Sequence, residues 1–171
     1  KKTKLDGWGR VIKRVFDIFT SSFAIVLFSP IMLVTAMLIK INSKGPVIYK
    51  NKRVGKSGKE FYTLKFRSMY YEMSTGVGNL EQDQKALELE KELIKKNNTR
   101  EGAIYKIKDD PRVTKVGRFI RKYSIDEFPQ FFNVFFGNMS LVGPRPHQAR
   151  EVANYRKDQL RVLDIKPGIT G

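Results

Sequence analysis

The longest hydrophobic run in the sequence extends from Ile18 to Ile39 without a charged residue. A helix of this length, at about 1.5 Å per residue, just crosses a bilayer core of about 30 Å. Ser29 and Pro30 lie in its middle, where proline lacks a backbone donor and clashes with the carbonyl four residues earlier. The pattern therefore predicts a membrane-associated helix that is broken at Ser29-Pro30.

Basic residues flank this run on both sides. They are Lys13 and Arg14 before it and Lys40 and Lys44 after it. Because positive charge marks the cytoplasmic ends of membrane segments, both ends are expected on the same face of the membrane. A re-entrant helix hairpin over residues 15–44 satisfies this charge pattern and the break. Two alternatives stay open: a spanning helix kinked at its proline, which bilayers tolerate, and a buried helix of a soluble protein.

Alternating polar and apolar residues predict a β-hairpin within Gly45–Met69. Val47–Tyr49 opens one strand and Phe61–Phe66 forms the other, around a turn at Gly55–Gly58. That turn contains Gly-Lys-Ser, but a phosphate-binding P-loop needs a further glycine five residues earlier, where Lys50 stands. The segment is therefore interpreted as a basic turn and not as a nucleotide-binding loop.

Charged and apolar residues interleave with helical spacing in Leu80–Lys96, which predicts an amphipathic helix with a solvated or packing role. The β-hairpin, this helix and the further helices expected downstream together predict a mixed fold class, α/β and more narrowly α+β. Residues 1–14 are expected to form a basic linker, residues 15–44 the membrane hairpin, and residues 45–171 one cytosolic domain with a small sheet and several helices.

Composition narrows the chemistry of the chain. The 171 residues hold 33 lysines and arginines against 17 aspartates and glutamates, a formal charge of +16, with one histidine and no cysteine. Thiolate nucleophiles, disulfides and Cys-based metal sites are thus excluded within this chain. The positive charge requires an anionic partner, which is nucleic acid, an acidic membrane surface or a phosphorylated substrate. Charge alone does not choose among the three.

Two adjacent carboxylates, Asp126 and Glu127, follow a basic stretch, and two interpretations of them stay open. Ser124 and Glu127 fit a capping box ahead of an apolar helix, where acids favour the helix start. Alternatively, the pair could bind a divalent cation, and one carboxylate could attack phosphorus. Arginines suited to clamping phosphate oxygens lie nearby in the sequence. They are Arg112, Arg118, Arg121 and Arg145.

Three further residues have structural explanations of similar or greater weight. Arg145 lies between Pro144 and Pro146, which either present it rigidly to a ligand or simply form a turn. His147 is interpreted as a polar loop residue. Asp110, which precedes a proline, is interpreted as a turn cap in preference to a metal ligand.

Several segments, in order along nearly the whole chain, resemble one family: the bacterial sugar transferases that act as monotopic polyprenyl-phosphate phosphoglycosyl transferases, of the type that primes exopolysaccharide and O-antigen synthesis. The matching segments are Lys13-Arg14-x-x-Asp17, Ser29-Pro30, Gly45-Pro46-Val47, Lys65-Phe66-Arg67-Ser68-Met69, Asp110-Pro111-Arg112-Val113-Thr114, Ser124-Ile125-Asp126-Glu127-Phe128-Pro129-Gln130, Asn133-Val134, Met139-Ser140-Leu141-Val142-Gly143-Pro144-Arg145-Pro146 and Lys166-Pro167-Gly168-Ile169-Thr170-Gly171.

The resemblance implies transfer of a phospho-sugar from a UDP-sugar, expected to be a UDP-hexose, to polyprenyl (undecaprenyl) phosphate, with release of UMP. Asp126 would be the nucleophile of a covalent intermediate, and Glu127 would help it hold Mg²⁺. Phosphate groups would be bound by basic residues at motif positions. These are Lys65, Arg67, Arg121 and Arg145, to which the basic stretch adds Arg112. Arg14 would lie at the lipid headgroups, and Ser29-Pro30 would break the re-entrant helix.

The resemblance also implies a location and partners. The catalytic domain, residues 45–171, would lie on the cytoplasmic face of the bacterial inner membrane, in contact with anionic lipid. A homodimer is a further expectation. Nucleic acid is not expected as a partner, although a nucleic-acid-associated protein and a structural scaffold are the competing classes. A start without methionine and an end at Gly171 lead us to expect a segment of a longer protein. The resemblance further implies a preceding membrane bundle and additional C-terminal residues in that protein.

Overall fold

A computed structural model describes residues 7–74, 80–97, 107 and 109–170 of the chain. The helices are α1 (Trp8–Asn42), α2 (Leu80–Asn97), α3 (Lys115–Lys122), α4 (Gln130–Phe136) and α5 (Ala149–Val152). The strands are β1 (Ile48–Val54), β2 (Glu60–Phe66), β3 (Ser140–Val142) and β4 (Gly168–Thr170). Short 3₁₀ turns lie at Lys56–Gly58, Tyr71–Met73, Ile125–Glu127 and Gln159–Asp164. This mixture confirms the α+β class.

Two small sheets complete the secondary structure. Strands β1 and β2 form one two-stranded sheet and are joined through the 3₁₀ turn at Lys56–Gly58, which confirms the predicted hairpin and its basic turn. Strands β3 and β4 pair in parallel, with Ser140 opposite Gly168 and Val142 opposite Thr170. The predicted amphipathic helix is also confirmed, as α2.

The chain divides into two compact units, each assembled from separate segments. The first unit consists of Lys1–Pro30, Lys50–Leu64 and Phe128–Gly171, and the second of Ile31–Tyr49 and Lys65–Glu127. Each unit therefore contains part of α1 and part of the β1–β2 sheet. The predicted boundaries at residues 14 and 44 concern placement in a membrane and stay predictions.

Helix α1 continues through Pro30 because a side chain satisfies the acceptor that proline leaves free. Pro30 has no N–H to donate to the carbonyl of Val26, four residues earlier. The hydroxyl of Ser29 donates to that carbonyl instead, at 2.8 Å. The predicted break at Ser29-Pro30 is therefore wrong for the secondary structure, since α1 is one continuous helix from Trp8 to Asn42. The re-entrant path through a bilayer stays a prediction.

The surface of α1 is suited to lipid. The helix is long and apolar enough to cross a membrane. Its buried positions include polar or small residues, such as Asp17 and Ser21 in the first unit and Thr35 in the second. Large apolar side chains that are more than half exposed include Trp8, Ile12, Val15, Phe19, Phe23, Val26, Leu33, Val34, Met37 and Ile41. An exposed apolar surface of this extent marks contact with a membrane or a partner.

In the first unit, buried polar side chains connect α1 and α4 to the strands. Asp17 is only 3% exposed and accepts hydrogen bonds from the Ser140 hydroxyl at 2.9 Å and the Leu141 amide at 3.2 Å. The Asn133 side chain accepts from the Leu64 amide and donates to the Tyr62 carbonyl, each at 2.8 Å. These contacts fix α1 against β3 and α4 against β2.

In the second unit, α3 packs closely against the segment that follows β2. Its N-cap is Thr114, whose hydroxyl accepts from the Gly117 amide at 2.8 Å. A Cβ atom on Gly117 would lie 1.9 Å from the Ser68 carbonyl oxygen. Only glycine permits this approach, which brings the first turn of α3 against Ser68.

Gly117→Ala is therefore expected to destabilise the protein by about 1–3 kcal/mol, because the backbone at Ser68 must move to admit the methyl group. The gain in helix propensity from alanine, about 1 kcal/mol, opposes this loss. Denaturant titration of the detergent-solubilised protein measures the change. Lys115→Ala, on the exposed side of α3, should stay within about 0.5 kcal/mol of wild type. Equal stability of Gly117→Ala and wild type would contradict the close contact.

Candidate functional site

The acidic pair lies in a 3₁₀ turn between α3 and α4. Ser124 has a left-handed backbone with a φ of 56°, and the Glu127 amide donates to its carbonyl at 3.2 Å. Helix α4 begins three residues later, at Gln130, with Pro129 as its N-cap and no capping side chain. The predicted capping box ahead of the apolar helix is therefore wrong, because the tight turn separates Ser124 and Glu127 from the helix start.

Ser124→Ala provides a stability test of this correction. A side chain that caps a helix contributes about 1 kcal/mol. Ser124 is exposed and caps no helix, so we expect the free energy of unfolding to change by less than about 0.5 kcal/mol. Thr114→Ala, which removes the cap of α3, serves as the positive control and should cost about 1 kcal/mol. A loss at Ser124 as large as that at Thr114 would restore the capping interpretation.

Basic side chains surround the two carboxylates within the second unit. The Lys65 ammonium, at the end of β2, pairs with a Glu127 carboxylate oxygen at 2.5 Å. Partial burial raises the pKa of the Asp126 carboxyl above its usual value. The charges of Lys65 and Arg121 oppose this shift, and Glu127 adds to it. The structure thus brings together four of the predicted residues: Lys65, Arg121, Asp126 and Glu127.

Arg121 is oriented by the same close packing that requires Gly117. It lies in the last turn of α3, and its Nε donates to the Ser68 hydroxyl at 2.7 Å. The side chain remains exposed, and it interacts electrostatically with both Asp126 and Asp110. A cation held in this way can attract phosphate oxygens close to the acidic pair.

Arg112 is buried in an ion triad. Its guanidinium donates to Asp110 at 2.8 Å and to Glu90 of α2 at 3.1 Å, and the side chain is 4% exposed. The Arg112 amide also donates to the Asp110 carboxylate at 3.0 Å, which confirms Asp110 as a turn cap. Because two carboxylates already neutralise Arg112, its contacts are structural, and the predicted phosphate-binding role stays a prediction.

Arg67 is likewise occupied by protein acceptors. It is 3% exposed and donates to the Ser43 carbonyl at 2.8 Å and to the Lys44 carbonyl at 2.5 Å, just beyond the end of α1. A guanidinium at a helix C-terminus satisfies carbonyls that lack intrahelical donors. Its contacts hold the end of α1, and binding of phosphate by Arg67 stays a prediction.

Arg14 and Arg145 belong to the first unit. Arg14 donates to the Val134 and Phe135 carbonyls at the end of α4, each at 2.7 Å. These contacts are with protein atoms, and the contact of Arg14 with lipid headgroups stays a prediction. Arg145 is about half exposed and pairs with Glu151 at 2.7 Å, while Glu151 is 5% exposed. Its predicted interaction with phosphate also stays a prediction.

Sequence reasoning assigned no role to two carboxylates that orient predicted site residues, Glu90 and Glu151. Glu90 lies on the charged helix α2 and reaches Arg112, and Glu151 lies six residues after Arg145. Nothing in the local pattern distinguishes Glu90 from its solvent-facing neighbours. For Glu151, the sequence signal is a capping box with Gln148, which is present at the start of α5.

Comparison with known proteins gives a consistent result. The sequence model of the family described as bacterial sugar transferase matches residues 8–171. The chain is 42% identical, over 98% of its length, to a UDP-glucose:undecaprenyl-phosphate glucose-1-phosphate transferase of Klebsiella pneumoniae, and spans 31% of that protein. It is also 42% identical to a UDP-N-acetylgalactosamine-undecaprenyl-phosphate N-acetylgalactosaminephosphotransferase of Aeromonas hydrophila, over 94% of the chain and 33% of that protein.

A shorter relative is matched over more of its own length. The chain is 37% identical to the exopolysaccharide production protein ExoY of Rhizobium meliloti, over 95% of the chain and 68% of that protein. The chain thus spans about a third of the first two relatives and about two thirds of the third.

Proposed function

Since the chain belongs to the bacterial sugar transferase family, we propose that it carries the catalytic residues for transfer of a phospho-sugar from a UDP-sugar to undecaprenyl phosphate, with release of UMP. The printed names of two relatives specify UDP-glucose and UDP-N-acetylgalactosamine as donors and undecaprenyl phosphate as acceptor. The first name is consistent with a UDP-hexose donor and the second with a UDP-N-acetylhexosamine, and a panel of UDP-sugars distinguishes them.

One observation carries the proposal: Asp126 lies beside Lys65, Arg121 and Glu127 in a tight turn. A carboxylate in this position can act as a nucleophile toward phosphorus, because Lys65 and Arg121 oppose the rise in its pKa that burial causes and attract the diphosphate. Phosphoryl transfer depends mainly on positioning and on charge stabilisation, and both are available here.

In the first step, an Asp126 carboxylate oxygen attacks the phosphorus that carries the sugar. A bond forms between this oxygen and phosphorus, and the bond from phosphorus to the bridging oxygen of the diphosphate breaks. UMP leaves with that electron pair, and Asp126 carries the phospho-sugar as an acyl phosphate. Lys65 and Arg121 stabilise the charge that develops on the phosphate oxygens and the leaving group.

In the second step, a phosphate oxygen of undecaprenyl phosphate attacks the same phosphorus. The bond to Asp126 breaks, the carboxylate is restored, and the lipid carries a diphosphate linked to the sugar. Because α1 has an extensive exposed apolar surface, we place it in the inner membrane with the acidic pair near the cytoplasmic surface. There the lipid acceptor can reach Asp126 without leaving the bilayer.

The donor groups fit Mg²⁺. This ion is usually held by one or two carboxylates together with substrate phosphates and water. Asp126 and Glu127 supply two adjacent carboxylates, and the described residues contain no group of three metal-binding side chains that would enclose an ion without substrate. When bound, Mg²⁺ would neutralise charge on the diphosphate. Lys65, which pairs with Glu127, would hold that carboxylate in position.

A UMP-release assay tests the proposed reaction. Purified protein in detergent is given a panel of UDP-sugars, with and without undecaprenyl phosphate and with Mg²⁺ or EDTA. We expect steady release of UMP and formation of a lipid-linked diphosphate sugar only when donor, acceptor and Mg²⁺ are all present. Release of UDP would contradict phospho-sugar transfer, since the sugar would then move without its phosphate. Full activity in EDTA would contradict the role of Mg²⁺.

A further inference from the structure

A cavity of about 360 Å³ lies within the second unit, beside the turn that precedes α3. It is lined by Met69, Val113, Asp109, Asp110, Arg118 and Arg121, with Ile107 and Arg112 completing the wall. This volume lies in the range of about 300–1,000 Å³ that small-molecule sites occupy. The cavity combines apolar walls with charged groups, as such sites commonly do.

Two of the charged groups at the cavity, Arg118 and Arg121, are placed to receive an anionic ligand, whereas Arg112 is already paired. The Arg112 guanidinium and the Asp110 carboxylate are directed at each other, and Glu90 provides a second acceptor for Arg112. Arg118 and Arg121 are exposed residues of α3 that line the same cavity. Two guanidinium groups at one opening can hold phosphate oxygens in bidentate geometry.

Arg121 connects this cavity to the acidic pair. It lines the cavity and donates to Ser68, and it interacts electrostatically with Asp126. A diphosphate bound at Arg121 can therefore extend toward Asp126 at one end and into the cavity at the other. In an in-line displacement the leaving group lies opposite the nucleophile, so the end that extends into the cavity is the leaving UMP.

We propose that this cavity binds the nucleoside monophosphate portion of the donor, with Arg118 and Arg121 on its phosphate. The proposal rests on the function proposed above and adds the donor subsite. Met69 and Val113 provide an apolar wall for the base and ribose. Asp109 offers carboxylate oxygens to ribose hydroxyls. Five of the eight lining residues are charged, so the cavity suits a phosphorylated nucleoside better than an undecaprenyl chain.

Equilibrium binding of UMP to the full chain in detergent tests the proposal without requiring turnover. Arg118→Ala should weaken UMP binding about tenfold or more, because a hydrogen bond to a charged group contributes about 1.5–3 kcal/mol. Val113→Trp should abolish binding by filling the cavity. The matched controls are Lys115→Ala, a basic residue one turn earlier on α3, and Phe119→Trp, an exposed aromatic on the same helix; neither lines the cavity. Both should bind UMP within about twofold of wild type.

Unchanged UMP affinity in Arg118→Ala and Val113→Trp would overturn the proposal, and so would equal weakening by Lys115→Ala. Circular dichroism identifies a variant that fails to fold. If Val113→Trp fails to fold, Arg118→Ala still tests the proposal, because Arg118 is exposed and its loss should not affect folding. Transfer assays on the same samples separate the two claims. If the protein shows no transfer but its UMP binding is weakened by Arg118→Ala and Val113→Trp, the proposed function is contradicted and the UMP subsite is not. Transfer with an unchanged donor KM in Val113→Trp would contradict the donor subsite alone.

Discussion

Asp126→Asn is expected to abolish phospho-sugar transfer, by a factor on the order of 10³ or more, because removal of a covalent nucleophile eliminates both steps. The amide has nearly the shape of the carboxylate, so donor binding should persist. Folding should also persist. The substitution removes a partly buried charge next to Glu127, and this gain offsets the lost attraction to Lys65 and Arg121. We expect the free energy of unfolding to stay within about 1 kcal/mol of wild type.

The measurement is the initial rate of UMP release with donor and acceptor present, together with UMP affinity and thermal unfolding. Asp158→Asn is a suitable control, since this aspartate is exposed and its surface ion pair with Arg156 is long, at 3.8 Å. It should retain wild-type activity. Substantial activity in Asp126→Asn would show that another group is the nucleophile, or that the acceptor attacks the donor directly.

Arg112→Met is expected to cause the largest loss of stability, about 3–5 kcal/mol, because it leaves the buried Asp110 carboxylate without its guanidinium partner and removes the ion pair to Glu90. Methionine fills part of the volume, so the loss arises mainly from charge. Denaturant titration at neutral pH measures it. Arg118→Met, on the exposed surface of α3, controls for the change in side-chain type and should cost less than about 1 kcal/mol.

The same substitution predicts a specific dependence on pH. Burial raises the pKa of Asp110, but hydrogen bonds and charge from Arg112 outweigh it, so the pKa lies below its usual value. The triad therefore stabilises wild type above the unfolded carboxyl pKa of about 3.9, and this contribution is lost as pH falls through the lower folded value. Without Arg112, burial raises the Asp110 pKa and acid favours the folded variant. The stability difference between the two proteins should narrow as pH falls toward 4. A constant difference would contradict the triad.

Local sequence patterns predicted the elements whose conformation depends mainly on neighbouring residues. The turn at Gly55–Gly58 contains glycines that permit a tight turn, and alternating residues on either side form β1 and β2. Spacing of leucines among charged residues likewise predicted α2. The uncharged run from Ile18 to Ile39 likewise predicted a helix, and it falls within α1.

Local patterns failed where a residue's role depends on distant contacts. Ser124-x-x-Glu127 matches a capping box, yet the left-handed backbone at Ser124 begins a 3₁₀ turn, and Glu127 pairs with Lys65, which is 62 residues away. Arg112 fits a phosphate clamp in sequence, whereas the fold surrounds it with two carboxylates. Pairing of β3 with β4 also depends on segments far apart in the chain. Local pattern left both a helix-start and a catalytic interpretation of Asp126 and Glu127 open, and it was the resemblance to the sugar transferase family that singled the pair out.

Intact-protein mass spectrometry shows whether Asp126 carries the phospho-sugar, when the protein is mixed with UDP-sugar and Mg²⁺ in the absence of acceptor. We predict a mass increase of one phospho-sugar per chain, accompanied by one equivalent of UMP. Both should be absent in Asp126→Asn and present in Asp158→Asn, and added undecaprenyl phosphate should remove the adduct. UMP release that requires the acceptor, in a protein that remains unmodified while it turns over, would contradict the covalent intermediate.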